Sequence, residues 1–411
     1  MEIDLLTHEA EKCRERLIKW RRRFHEHPEL GLECHETAAV VAENLQRMGL
    51  QVKTNVAKSG VVGILYGHQT GPVVALRVDM DALPLEERTG LPFSSHIQGI
   101  MHACGHDGHT AMGLGVAAVL SKFRDVLKGA IKFIFQPGEE SPGAAKMMID
   151  EGVLQEPKVE IILGCHIFPG LSFGQVGIRY GTICAACDEF DIRIKGVGGH
   201  AAYPHQCTDP IVAACNLAAS LQTIVSRSIN PMEPAVISIC KITGGNTYNV
   251  IPEDVSLGGT VRSVDEETRQ IAHKSLKDIV RAIEVAYGVE IYLNIQPTVP
   301  ALRCNEWMVT HTEENLNQLI GPEKVIHISS PSLGADDFAF FSEKIPAAYL
   351  RLGSYDKENG YVQGLHTPYF DFNENLLVEG TKILSFLLMT FLTSTLSYER
   401  TLLCASPLDT L

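Results

Sequence analysis

Residues 73–81 read VVALRVDMD, residues 130–140 read AIKFIFQPGEE and residues 159–166 read VEIILGCH. Each is an apolar run of strand length that passes abruptly into acids, or into a cysteine and a histidine. About Gly108 to Phe123 has helical length between the first two runs, and Ala144 to Asp150 separates the second from the third. Strands alternating with helices predict a mostly parallel sheet with helices on both faces. Strands covered on both sides lose the apolar/polar alternation and become continuously hydrophobic. The expected class is therefore α/β, and in such sheets ligands collect beyond the carboxyl ends of the strands. The acids, the thiol and the imidazoles stand at those ends.

Upstream, Leu5 to His25 has helical periodicity and runs into His27-Pro28, where proline disfavours continuation. A second helix is expected over about Glu36 to Met48. Beyond Cys187 the pattern changes to strand Glu189 to Lys195, helix Pro210 to Ser226, strands Ala235 to Thr243 and Asp254 to Arg262, helix Glu266 to Tyr287 and strand Val289 to Pro297. That βαββαβ order is ferredoxin-like. A chain of 411 residues exceeds what one core supports. The expectation is a discontinuous catalytic domain, 1–186 with 299–411, interrupted by an inserted α+β domain at 187–298. Helices Trp307 to Gly321 and Glu374 to Leu396 and strand Ala347 to Leu352 return to the first sheet.

The net charge of -14 argues against binding nucleic acid, whose affinity rests on Lys and Arg neutralising phosphates. A small-molecule substrate is expected. The eleven cysteines lack the regular spacing of a disulfide framework and read as reduced thiols. Met1 to Ala10 carries acids where an export signal carries bases and an apolar core. Ile383 to Leu396 is too short and too rich in Ser and Thr for a bilayer, so no membrane is expected and the compartment is read as cytoplasmic.

Cys104, His106, Glu140 and His166 are ligand types suited to zinc or manganese. Their wide spacing excludes a zinc finger and suits a centre assembled from separate loops. The adjacent acids Glu139 and Glu140 admit a division of labour, one on metal and one moving a proton. Taken singly, His166 reads as a structural histidine and Glu139-Glu140 as an exposed acidic pair at a helix start. Their arrival at successive strand ends outweighs those readings. His102 and His109 are expected to brace the ligands, and Asp79 and Asp81 to orient His106. Arg21 to Arg23 reads as a solvated helix end. Cys184-Ala-Ala-Cys187 has no second pair at zinc-ribbon spacing. The glycines of Gly113-Leu-Gly115-Val-Ala-Ala118 lie inside a helix, which excludes a dinucleotide cradle.

Eight ordered segments carry a resemblance: RRFHEHPELG from Arg22, RVDMDALP from Arg77, HACGHDGHT from His102, FQPGEE from Phe135, GGHAAYPH from Gly198, NVIP from Asn249, GTVRS from Gly259 and LHTPYF from Leu365. They span nearly the whole chain. Together they resemble the M20 metallopeptidases, in the branch of aminoacylases, hippurate hydrolases and indoleacetyl-amino-acid hydrolases. The resemblance implies two divalent metal ions, zinc or manganese, held by Cys104, His106, Glu140, His166 and His366, with Glu139 as general acid/base. It implies that His200 polarises the scissile carbonyl, in its own or the partner subunit's site. Asn249 and Arg262 would face the substrate, Arg262 clamping its carboxylate. A homodimer through the inserted lid domain follows from the same resemblance. Many relatives supply the bridging ligand from an aspartate, whereas this branch has Cys104 in that neighbourhood, so the bridging atom stays open. The implied reaction is hydrolysis of N-acyl-L-amino acids. The alternatives are a carboxypeptidase or dipeptidase with the same metals, for which residues near Thr182, Tyr248 and Leu333 matter, and a catalytically silent binding protein for amino-acid conjugates. Retention of all five ligands and Glu139 disfavours the last.

Overall fold

The computed structural model describes residues 3–140 and 143–404, with side chains placed as far as residue 394. The chain forms two compact units. One comprises Met1–Gly181, Arg303–Ser329 and Phe340–Leu411, the other Thr182–Leu302 with Ser330–Ala339.

The first unit is built on an eight-stranded sheet. Its order is Gln51–Val56, Gly60–Tyr66, Lys128–Gln136, Gln69–Asp79, Ile161–Ser172, Ala347–Tyr355, Val176–Ile178 and Val325–His327. The four strands from Lys128–Gln136 to Ala347–Tyr355 run parallel, while the pairings that flank them on either side are antiparallel. Strand Gln69–Asp79 is buried from Val74 to its end, as a central strand covered on both sides must be. Helices His106–Leu120 and Asn375–Cys404 pack on it. Every residue of His106–Leu120 is buried, which explains why that helix shows no polar face.

Register sets up the site. Asp79 pairs with Gln136, and Arg77 pairs with Gly164 on the neighbouring strand. Two residues beyond Gly164, His166 therefore stands level with Asp79. The expected strand end at Cys165-His166 is corrected here, since the strand continues to Ser172. Ala347–Tyr355 pairs alongside it, matching Arg351 to His166, and supplies the hydrogen bonds that prolong it.

Other elements differ too. The single expected N-terminal helix is two, Ile3–Glu11 and Arg14–Glu26, separated by a turn at Lys12 and Cys13. An antiparallel edge hairpin at 51–66 adds to the expected elements; its outer strand Gln51–Val56 is largely exposed and lacks an apolar run, while Gly60–Tyr66 is apolar and buried. The terminal helix is longer than expected. Its span Asn375–Ser394 is long and apolar enough to cross a bilayer, yet 72% of it is buried inside the protein, as befits a core helix. Among the described residues the cysteines are free.

The second unit has a four-stranded antiparallel sheet, ordered Ala235–Gly244, Asp254–Ser263, Ala186–Lys195 and Glu290–Val299. With helices Pro210–Thr223 and Glu266–Tyr287 it has the ferredoxin-like order. Phe190, Ile192 and Ile194 point inward while Glu189, Asp191, Arg193 and Lys195 point out, so one face alone is covered. The inward face meets Leu217 and Leu221 of one helix and Leu276 and Val280 of the other.

Candidate active site

The first unit gathers all five expected ligands. Cys104 Sγ lies 3.3 Å from His166 Nε2 and 3.2 Å from His366 Nε2. His366 Nε2 is 3.1 Å from Glu140 Oε1. Two groups with ligand atoms mutually within 4.8 Å result, Cys104/His106/His166 and Cys104/Glu140/His366, and a third comprises His106, Glu139 and Glu140. Cys104 belongs to both of the first two.

Local structure aims each imidazole. Gly105 adopts a left-handed φ of +85°, which lets the chain turn between Cys104 and the helix that begins at His106. His106 Nδ1 donates to the Asp81 carbonyl at 2.8 Å, which turns its Nε2 toward the cluster. That Nε2 is buried and has no hydrogen-bond partner among the described residues. His166 Nδ1 donates to the Ile167 carbonyl at 2.6 Å, likewise turning its Nε2 toward Cys104. A metal-binding histidine is held in this way, one nitrogen anchored and the other offered.

Asp81 does more than orient His106. Its carboxylate accepts the backbone N–H groups of Glu139 at 2.9 Å and Glu140 at 3.1 Å, fixing the loop that carries both acids. Asp79 accepts from His109 Nδ1 at 2.5 Å and from Arg77 at 2.6 Å. Burial works against its charge, but His106, His109 and Arg77 outweigh it and hold the carboxyl well below the usual range. His109 Nε2 in turn accepts the Ile167 N–H at 2.9 Å, so both its nitrogens are used and it braces the His166 strand. His102 departs from the bracing expectation. Both its ring nitrogens are buried without a hydrogen-bond partner among the described residues, and burial pushes its pKa down to about 3.

Burial disfavours a charged ring at His106, yet Asp79, Cys104 and Asp81 pull its pKa well above the ordinary value. The surroundings are thus anionic, and the orphaned His106 Nε2 sits within them. A nitrogen, sulfur and carboxylate donor set of this kind fits a borderline divalent ion. Glu139 Oε2 lies 3.9 Å from His106 Nε2, at the edge of the cluster.

The reading of Arg21 as solvated is corrected. Arg21 is 1% exposed and pairs with Asp107, Asp371 and Glu374. Beside it, His25 Nδ1 meets Asp107 Oδ2 at 2.8 Å and Nε2 meets Glu87 at 3.3 Å. Burial opposes the imidazolium, but those two carboxylates raise its pKa to about 9. Helical spacing held the signal, since Arg21 falls on the same face as Leu17, Trp20 and Phe24.

The remaining expected residues lie in the second unit. His200 and Asn249 are brought together on a two-stranded ribbon, where His200 pairs with Val250 and the Ala201 N–H donates to the Asn249 carbonyl at 3.0 Å. His200 is exposed, and its Nδ1 accepts from Ala202 N–H at 3.1 Å. Arg262 is not on that ribbon. It stands on the strand Asp254–Ser263 opposite Cys187, with Nη1 donating to the Leu333 carbonyl at 2.8 Å.

The sequence profile of peptidase family M20/M25/M40 matches residues 75–390. An N-acetyl-L-cysteine deacetylase of Bacillus subtilis is 38% identical over 90% of this chain and 86% of its own length. Thermostable carboxypeptidase 1 of Saccharolobus solfataricus is 37% identical over 92% of this chain and 96% of its own. Among solved structures, a dinuclear metal-binding peptidase of the M20 family from Bacillus subtilis superposes with a TM-score of 0.81 at 33% identity, covering 93% of this chain and 99% of that one.

Proposed function

The chain belongs to peptidase family M20/M25/M40, and from that premise we propose that it hydrolyses the amide bond of small N-acyl-L-amino acids to a carboxylic acid and a free amino acid. The observation that carries the reading is the meeting of Cys104, His106, Glu140, His166 and His366 in two triads that share one sulfur, with Glu139 beside them. In this reading Cys104, His106 and His166 would hold one divalent ion and Cys104, Glu140 and His366 the other, with zinc or manganese as the candidates. Two such ions supply Lewis-acid polarisation of a carbonyl and lower the pKa of water toward neutrality.

Glu139 accepts a proton from the attacking water as its oxygen bonds to the acyl carbon. Glu139 then delivers that proton to the amide nitrogen as the C–N bond breaks. His200 is assigned to the developing oxyanion, and Asn249 and Arg262 to the substrate, Arg262 pairing with its carboxylate. A carboxypeptidase reading competes, supported by the carboxypeptidase relative, and demands the same chemistry on a peptide. A panel of N-acetyl, N-benzoyl and N-indoleacetyl amino acids and dipeptides, assayed with added zinc or manganese for released amine, separates the two. The acylated amino acids are expected to give the higher kcat/KM. Dipeptides preferred over every acyl amino acid would replace this reading with the peptidase one, and no hydrolysis at all would leave a binding protein.

A homodimer through the second unit is part of the proposal. Strand Ala235–Gly244 ends its sheet with one edge unpaired, and Ile242 (55% exposed), Ile211 and Val212 are exposed in the same unit. An open edge beside apolar side chains suits pairing with a second copy. With His200 serving the partner's site, mixing Glu139→Gln and His200→Ala chains under conditions of subunit exchange is expected to recover up to about a quarter of wild-type activity, since half the dimers are mixed and each has one intact site. No recovery despite proven exchange would place His200 in its own chain's site.

A further inference from the structure

Arg21 is buried in an ion cluster whose partners come from two of the segments that carry ligands. Arg21 Nε lies 3.1 Å from Asp107 Oδ2, next in sequence to His106. Its Nη2 bonds Asp371, while its Nη1 stands 3.4 Å from Glu374 Oε1 without a hydrogen bond among the described residues, Glu374 being paired with Arg22 at 3.0 and 2.6 Å. Asp371 and Glu374 follow His366 along the chain. Phe372, between them, stacks its ring 4.0 Å from the guanidinium and seals it against Gly108, where an added Cβ would come within 2.6 Å of the Phe372 ring.

His366 needs outside support. Its φ is +58°, a left-handed conformation that a non-glycine residue keeps only when its surroundings impose it. The support from the Cys104 loop is a single backbone bond, His366 N–H to the Ala103 carbonyl at 2.8 Å. Its ring is half exposed, with Nε2 turned toward Cys104 and Glu140. His106 and His166, by contrast, are buried and each anchored through Nδ1 to a carbonyl.

We propose that Arg21 is a positioning residue of the metal centre, a buried clamp that ties the His366 segment through Asp371 to the Cys104–His109 loop through Asp107, and so sets the geometry of the Cys104/Glu140/His366 triad. A planar fork suits this role, because its nitrogens reach carboxylates on different segments at once. The proposal rests on the reading that the two triads hold two divalent ions. It distinguishes them: the Cys104/His106/His166 triad keeps its own anchors, and the other depends on the clamp.

The test is cobalt(II) added to metal-free protein, followed by the thiolate-to-cobalt charge-transfer absorption and by cobalt retained after gel filtration. The unmodified chain is expected to take two equivalents. Arg21→Met and Asp371→Asn are expected to bind the first with affinity within about threefold of wild type and the second at least about tenfold more weakly. Asp371→Asn leaves the Arg21–Asp107 and Arg22–Glu374 pairs in place and carries the test should Arg21→Met not fold. Equal weakening of both equivalents, as general loosening would produce, or no weakening of either, overturns the clamp. Fewer than two equivalents in the unmodified chain overturns instead the two-ion reading beneath it.

Discussion

Glu139→Gln is expected to keep two bound divalent ions while kcat falls by about 10²- to 10⁴-fold. Glutamine preserves the shape of the side chain and leaves the Glu139 backbone bond to Asp81 untouched. It removes only the capacity to accept a proton at one step and return it at the next. Glu140 cannot take over, because its carboxylate is already engaged by His366 within the Cys104 triad. A carboxylate bound to a cation loses proton affinity, so the neighbour outside that triad is the better base. Metal content by atomic emission and steady-state kinetics on the same preparation check both halves. Turnover near wild type with full metal would remove Glu139 from proton transfer.

Cys104→Ala is expected to cost both ions and to bring hydrolysis below detection. Its sulfur is common to the two triads, 3.3 Å from His166 Nε2 and 3.2 Å from His366 Nε2. Without it each site keeps two protein ligands of three, too few to hold a borderline divalent ion against water. The thiol is buried, and burial pushes its pKa up, although the His106 and His366 rings oppose that rise. A cation in both sites offsets the cost of a buried thiolate, so metal uptake by the unmodified chain should release a proton that the alanine variant does not. Metal retained after gel filtration and proton release on metal addition are the measurements. Two ions retained with near-normal turnover would show that another group joins the sites.

Much of the fold was legible because hydrophobic continuity is local. The runs at 73–78, 130–135 and 159–164 are long enough and apolar enough to be strands covered on both faces, and the alternating pattern from Glu189 to Lys195 to be one covered on a single face. The edge strand Gln51–Val56 was not legible, since an exposed strand has no such run to read, whereas its partner Gly60–Tyr66 is apolar and buried. His166 was placed at a strand end for a similar reason. What prolongs Ile161–Ser172 is its pairing with Ala347–Tyr355, a strand far along the chain.

By itself the sequence determined the class of fold, because strand length and helical spacing are properties of short segments. Tertiary structure alone decided the rest. It showed which nitrogen of each histidine is presented, that Asp81 serves His106 with its carbonyl and the two glutamates with its carboxylate, and that Arg21 is buried among three acids instead of facing water. A charged side chain has no intrinsic preference between solvent and a buried counter-ion. Desolvation and pairing nearly cancel, and the balance is struck only when distant carboxylates arrive around it.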